Sequence, residues 1–331
     1  MSYIAVIGAG SWGTTLASLL TEKGYEVILW THDHDLAVSI NRERMNSIFL
    51  PGFTLPPLLH ASFNSKELST ARYILNTVPT QFIRSVFSLI RDHIDEQAII
   101  VSASKGIENN TLLTPSAIIE QLLGRQVSVL SGPSFAREVA SRKPTAVTLA
   151  TGDAKTGLLL QEVFNTDYFR VYTHDDIKGV EIGGALKNVI AIASGICDGL
   201  SLGHNSRAAL ITRGLSEIVR LGLRIGANEV TFSGLSGIGD LVLTCTDMQS
   251  RNFTVGHKLG KGMKLSDIVS QTHSVAEGVA TALSARQLAA SYDIEMPIIE
   301  QVYCTLYEGK APIDAVRELM NRSLKSEFMR Y

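Results

Sequence analysis

The stretch YIAVIGAGSWG, residues 3–13, decides the fold. Tyr3–Ile7 is a short apolar run with β-branched members, and Thr14–Lys23 behind it has a helical period. Between them Gly8, Gly10 and Gly13 make a GxGxxG turn. At the end of a strand and the start of a helix, such glycines permit a tight turn, close backbone approach to a pyrophosphate, and tight helix–strand packing. The helix N-terminus beyond them holds phosphates with free N–H groups and its dipole. The context points to a dinucleotide site; the alternative is a glycine turn of purely structural value.

Outward from this turn, short β-branched runs alternate with longer helical patterns, the mark of a parallel α/β sheet. Further strands are expected at Glu26–Trp30, Tyr73–Thr77, Ala98–Ser102, Val127–Leu130, Ala146–Ala150 and Phe169–Tyr172. Helices are expected at Gln81–Arg91, Leu112–Leu123 and Lys155–Phe164, and Asn46–Leu59, with three prolines, reads as a loop. The pattern changes near Asp175. Beyond it only helical periods appear, at Val180–Cys197, Ser206–Leu223, Leu241–Thr246, Asn252–Leu259, Ala276–Ser291, Ile298–Tyr307 and Asp314–Leu324. The chain therefore divides into an α/β Rossmann-type dinucleotide-binding domain, residues 1–175, and an all-α domain, residues 176–331.

A chain of 331 residues that is 45% hydrophobic and 19% charged supports a sizeable packed core and argues against disorder. A formal net charge of −2 gives no basic surplus for nucleic acid, so anionic ligands must be met by local clusters. Three scattered cysteines, Cys197, Cys245 and Cys304, suit a reducing compartment and leave no zinc or disulfide pattern. MSYIAVIGAGSWG lacks a basic leader region and runs straight into the glycine turn, so no signal peptide is expected. Lys187 and Asp198 interrupt the best candidate for a membrane span. The expectation is a soluble, cytoplasmic protein without stable membrane insertion.

Several segments carry candidate chemistry. The strand EVILW ends in Thr31-His32-Asp33; an acid at this tip binds the adenosine ribose in NAD proteins, but Asp33 is equally suited to N-cap the next helix. SASKG, residues 102–106, leaves a strand at its carboxyl end, where open α/β sheets bind ligands, and presents Lys105. SGPSFA, residues 131–136, also leaves a strand; Pro133 fits the first turn of a helix that Ser131 or Gly132 caps. Asp240 and Thr244 lie one turn apart on one helical face, with N-capping the default role for Asp240. Ser250-Arg251-Asn252 at a helix start combines a cap, a guanidinium and an amide, a cup for phosphate or carboxylate.

The apolar segment GGALKNVIAIASGI, residues 183–196, places Lys187 on the same face as Gly183 and Gly184. Two helical glycines beside a lysine leave room for another backbone or a flat ligand. The plain alternative is a lysine that snorkels to the surface. Next to a dinucleotide domain, a buried lysine with a lowered pKa can exchange a proton with an alcohol.

Taken together, these motifs resemble the NAD(P)-dependent sn-glycerol-3-phosphate dehydrogenases, the bacterial type in particular. The likeness runs from GAGSWG through SASKG, SGPSFA, GGALKNVIAI and GLSGIGDLVLTCTDMQSRN to VAEG at Val275–Gly278, in the family's order over most of the chain. The resemblance implies a 6-phosphogluconate-dehydrogenase-like architecture and a homodimer. It also implies reversible reduction of dihydroxyacetone phosphate to sn-glycerol 3-phosphate by NADH or NADPH, without a metal, feeding glycerophospholipid synthesis. Lys187 then matches the proton acceptor. Lys105, Gly132, Ser134, Asp240, Ser250, Arg251 and Asn252 match substrate positions. Ser11, Trp12, His32, Lys105, Ala136, Arg251, Val275 and Glu277 match cofactor positions beside Gly8, Gly10 and Gly13. Trp12 departs mildly, since many relatives carry Tyr or Phe there.

Two other readings fit parts of the pattern. A related β-hydroxyacid dehydrogenase of the 6-phosphogluconate type also pairs a Rossmann domain with helices and a Lys-Asn pair, though the Ser250–Asn252 cup favours a three-carbon phosphate. A nucleotide-sensing module would need neither Lys187 nor so many candidate anion contacts.

Overall fold

The computed structural model describes residues 3–271, 275–324 and 326–327, so the expected domain end at residue 331 lies outside the described residues. Its strands are β1 (Tyr3–Ile7), β2 (Glu26–Trp30), β3 (Met45–Asn46), β4 (Leu50–Thr54), β5 (Leu59–Ser62), β6 (Ala71–Asn76), β7 (Ile99–Ser102), β8 (Val127–Ser131), β9 (Thr145–Ala150) and β10 (Phe169–His174). Among them run α1 (Ser11–Glu22), α2 (His34–Glu43), α3 (Thr80–Ile90), α4 (Pro115–Leu123), α5 (Ala136–Ala140) and α6 (Ala154–Phe164). After His174 come α7 (Ile177–Gly199), α8 (Gly203–Arg224), α9 (Asp240–Thr246), α10 (Arg251–Gly260), α11 (Leu265–Ser270), α12 (Glu277–Ser291), α13 (Pro297–Tyr307) and α14 (Pro312–Met320).

Eight strands form one sheet in the order β10-β9-β8-β7-β6-β1-β2-β5. Side chains alternate across it, so each face builds its own core. Ile4, Val6, Val27 and Leu29 pack on one side with Leu16 and Leu20 of α1. Ala5, Ile7, Ile28 and Ile74 pack on the other with Ile83 and Phe87 of α3 and Ile118 of α4. Burial on both faces is why these strands read as continuous apolar runs rather than alternating ones.

The sheet is mixed, not wholly parallel as expected: β9 pairs antiparallel with β8, and β10 then follows β9 in parallel. The five-residue α5 between β8 and β9 is too short to carry the chain back to the opposite edge, so β9 returns antiparallel. The expected loop Asn46–Leu59 is corrected to a two-stranded β3–β4 hairpin followed by β5 at the edge of the main sheet. Pro51 sits exposed in that hairpin, where no interior ladder bond is lost. Helix edges also shift. The expected helix from Leu112 starts at Pro115, because Leu112 adopts a positive φ of 60°, and the last helix covers Pro312–Met320.

α7 begins at Asp176, whose carboxylate accepts the Gly179 N–H. The helix is long and apolar enough to span a membrane, yet its apolar window lies wholly inside the protein. It serves as the axis around which α8, α9, α10 and α12 pack. Its approach to α10 is set by glycine: Gly195 lies against the Phe253 and His257 backbone, and Gly199 against that of His257 and Gly260. A Cβ on Gly260 would lie 2.7 Å from the Ile196 carbonyl oxygen, and one on Gly256 would run into that of Ile192. Two buried glutamates brace neighbouring helices. Glu181 accepts from the Ser116 N–H (2.8 Å) and hydroxyl (2.6 Å), and Glu217 from the Ile298 and Ile299 N–H groups at the start of α13.

Candidate active site

The chain leaving β7 and β8 meets the middle of α7 and the start of α9, with Lys105 against Gly184 and Asp240, and Ser131 against Gly184. This is at the carboxyl ends of the strands, where the crevice of an open α/β sheet binds ligands. Small polar side chains fix this rim. Asn76, fully buried, shares its amide between the Ser102 and Ser104 hydroxyls at 3.1 Å each. Thr77 Oγ1 lies 2.9 Å from the Ile7 and Gly8 carbonyl oxygens.

Lys187 projects from α7 into the crevice and is buried. Its Nζ donates to Asp240 Oδ1 at 2.5 Å and to Thr244 Oγ1 at 2.7 Å. Lys105 Nζ reaches the other oxygen, Oδ2, at 2.6 Å, and also the Gly132 carbonyl at 3.1 Å. One buried carboxylate thus holds two ammonium groups. Burial pulls the Lys187 pKa down to about 8; the charge of Asp240 opposes this, and that of Lys105 adds to it. Burial alone would raise Asp240, but the two lysines outweigh it and hold the carboxyl below its usual value. The adjacent Cys245 thiol is pushed up to about 12 by burial, so it stays protonated.

The expected N-cap role for Asp240 is corrected here: Gly239 precedes the helix, and the Asp240 carboxylate turns to the lysines instead. A five-residue π-turn, Leu235–Gly239, delivers it there. Gly183 makes room for this turn, since a Cβ would come within 2.8 Å of the Ser236 carbonyl oxygen. Gly184 faces the Ser131 hydroxyl and the Lys105 stem. Of the two alternatives for this glycine pair, Gly183 clears space for another backbone.

SGPSFA also differs from expectation. Helix α5 starts only at Ala136, behind Phe135, so neither Ser131 nor Gly132 caps it and Pro133 is outside its first turn. Gly132, at φ +134°, turns the chain out of β8 against the Val147 backbone. Ser134 donates to the Gly132 carbonyl at 3.0 Å. The Ser131 hydroxyl is buried without a protein partner.

Ser250 does cap α10, accepting the Phe253 N–H at 3.2 Å. Asn252 is tied into the packing: its amide donates to Asn188 Oδ1 at 2.8 Å, and its Oδ1 accepts the Gly278 N–H at 2.9 Å. Arg251 keeps contact with solvent, while the surrounding protein lowers its pKa against the raising influence of Glu277. Glu277, opening α12, accepts the Thr80 N–H at 3.0 Å across to the other half of the chain. Its second oxygen is buried without a partner, and burial raises its pKa to about 7, against the Thr80 bond and the charge of Arg251.

On the dinucleotide side, Gly8 has φ +111°, a Cβ on Gly13 would run into the Gly8 carbonyl, and one on Gly10 would meet open space. No side chain caps α1 at Gly10, so the first N–H groups of the helix are left without a capping side chain. An open glycine cradle under an uncapped helix fits a pyrophosphate. Trp12 packs partly buried, its ring 6.5 Å from that of Phe169. The Ala136 carbonyl accepts from Thr15 Oγ1 at 3.2 Å, which docks α5 beside α1. Asp33 caps α2 through the Leu36 N–H (3.0 Å), and His32 beside it is exposed. Val275 is exposed before α12.

Thr244 and Asn188 enter these contacts beside the expected site residues Lys187, Asp240, Lys105 and Asn252, although neither was itself expected at the site. The Asp240–Thr244 spacing carried the signal for the first; a polar residue beside Lys187 in an apolar run carried it for the second.

Glycine turn, sheet and buried lysine centre define a Rossmann-type oxidoreductase with a helical second half. The same fold recurs in a D-mandelate dehydrogenase structure at 12% identity and a TM-score of 0.64. The model for the N-terminus of NAD-dependent glycerol-3-phosphate dehydrogenase matches residues 3–157, and that for its C-terminus residues 176–317. Over 329 residues the chain is 53% identical to a Geobacter sulfurreducens glycerol-3-phosphate dehydrogenase (NAD(P)+), covering 98% of each. A Leptospira biflexa protein of the same name is 50% identical over 98% of this chain and 99% of its own. The crystal structure of glycerol-3-phosphate dehydrogenase from Coxiella burnetii superposes with a TM-score of 0.94 at 41% identity, covering 97% of this chain and 99% of that one. The chain belongs to the NAD-dependent glycerol-3-phosphate dehydrogenase family.

Proposed function

We propose that the chain reversibly reduces dihydroxyacetone phosphate to sn-glycerol 3-phosphate, with Lys187 as the acid–base residue and the product feeding glycerophospholipid synthesis. The observation that carries this is a buried ammonium held by Asp240 and Thr244, with its pKa drawn down to about 8. A bound reduced nicotinamide supplies the hydride. Lys187 as ammonium donates a hydrogen bond to the ketone oxygen, polarises it, and gives up its proton as the oxygen gains charge. In the reverse direction neutral Lys187 takes the proton from the hydroxyl. Asp240 keeps the ammonium available despite burial, and Lys105 and Thr244 fix the orientation of that carboxylate and amine.

Arg251 grips the substrate phosphate, helped by the amide of Asn252 and the N-terminus of α10 that Ser250 caps. The Gly132–Ser134 turn lines the substrate side beside Lys105, and anchoring the phosphate aims the carbonyl at Lys187. Gly8, Gly10, Ser11, Trp12 and Gly13 hold the dinucleotide pyrophosphate, with His32, Ala136, Val275 and Glu277 around it. Asp33, occupied as a cap, leaves both NAD and NADP admissible. The family resemblance supports a homodimer in the cytoplasm. Reduction of dihydroxyacetone phosphate, followed spectrophotometrically with NADH and NADPH side by side, tests the assignment. Rapid oxidation of either cofactor supports it, and tight cofactor binding without turnover overturns it.

A further inference from the structure

Asn46 ends β3 in the hairpin that the sequence hides among prolines, and it is completely buried. Its side-chain hydrogen bonds run to the glycine turn, to the start of α1 and to its own hairpin. Its Nδ2 donates to the Ala9 carbonyl at 2.9 Å and to Thr14 Oγ1 at 2.8 Å, and its Oδ1 accepts the Phe49 N–H at 3.1 Å. Ala9 is the second residue of the GxGxxG turn, and Thr14 lies in the first turn of α1. A trans peptide points its C=O and N–H in opposite directions. With the Ala9 carbonyl turned onto Asn46, the Gly10 N–H points the opposite way, away from the hairpin, on the residue whose Cβ would meet open space. Thr77 holds the Gly8 carbonyl from the β6 side, so the turn is clamped from two directions.

We infer that Asn46 is a positioning residue for cofactor binding: it sets the Ala9–Gly10 peptide so that its N–H meets the dinucleotide pyrophosphate. The inference rests on the reading of residues 8–13 as the pyrophosphate cradle. A side chain that merely filled the hairpin would need no donor aimed at a carbonyl of the glycine turn. The amide does both, keeping the hairpin through Oδ1 and the cradle through Nδ2.

Asn46→Asp separates the two tasks, since it retains the acceptor for Phe49 and replaces the donor by an oxygen facing the Ala9 carbonyl. Asn46→Ser, with a shorter side chain, serves if the aspartate variant does not fold. Binding of ADP-ribose and of NADH is measured by calorimetry, alongside kcat and the KM values for cofactor and dihydroxyacetone phosphate. The expected result is a loss of about tenfold in affinity for ADP-ribose and NADH alike, while kcat at saturating cofactor and the ketone KM stay near wild type. Unchanged ADP-ribose affinity in a folded variant overturns the inference alone. So does a fall in kcat with unchanged cofactor KM, which marks a general structural effect. Failure of the unaltered protein to bind ADP-ribose overturns the cradle reading itself, and the inference with it.

Discussion

Lys187 and Asp240 meet across the α7–α9 packing with Nζ 2.5 Å from Oδ1, both buried, from positions 53 residues apart in sequence. Neither charge is tolerable there alone, since breaking a buried pair leaves an uncompensated ion. Because Asp240 also binds Lys105, the centre carries a net positive charge beside the crevice. That surplus suits an anionic substrate, and it keeps the Lys187 proton within reach of neutral pH.

The pH dependence follows from the direction of the Lys187 shift. Below about 8 the amine is charged and can donate; above it the amine is neutral and can accept. The kcat/KM for ketone reduction should fall as pH rises through this value, and that for alcohol oxidation should rise. Asp240→Asn removes the charge that raises the Lys187 pKa, so the inflection should move to lower pH. A profile flat between about pH 7 and 9 in both directions contradicts the assignment.

Arg251→Ala should raise the KM for dihydroxyacetone phosphate by roughly 10- to 100-fold, the cost of losing a charge-assisted bond to phosphate. Steady-state kinetics at saturating cofactor checks this. An unchanged KM refutes the phosphate grip.

The α7–α10 seam makes a prediction about stability rather than chemistry. In Gly256→Ala the new methyl group meets the Ile192 carbonyl, and the helices must separate. The expected cost is about 1–3 kcal/mol or more, read from urea unfolding. An unaltered midpoint contradicts the close packing.

Glu217 tests linkage in the helical half. Burial raises its pKa from 4.5 to about 7, against the bonds from Ile298 and Ile299. A proton is thus held more tightly in the folded state. Its contribution to stability is fully present below about pH 4.5 and is lost as pH rises through about 7. Glu217→Gln should therefore gain in melting temperature relative to wild type as pH is raised across that window. A constant difference between the two proteins overturns the burial argument.

Much of this was legible in the chain because local physics and tertiary context agree. Tyr3–Gly13 reads as strand, turn and helix since its apolar run, glycines and helical period all demand it. Lys187 stood out because an ammonium in an apolar helix needs a partner. Spacing alone gives Asp240 only the ordinary capping role of an aspartate at a helix start; the resemblance puts it at the substrate site with Lys187, and the fold brings it across to Lys187 and Lys105. The β3–β4 hairpin was missed because Pro51, Pro56 and Pro57 mask a strand pattern whose pairing is non-local. The reversal at β9 depends on how far a one-turn helix reaches, which no residue pattern spells out.

The most direct test of the central claim is turnover by Lys187→Met, which keeps the length of the side chain and removes its proton. Dihydroxyacetone phosphate reduction should fall by about 10²- to 10⁴-fold while the dissociation constant for NADH changes by no more than about twofold. Near-normal turnover in this variant contradicts the account.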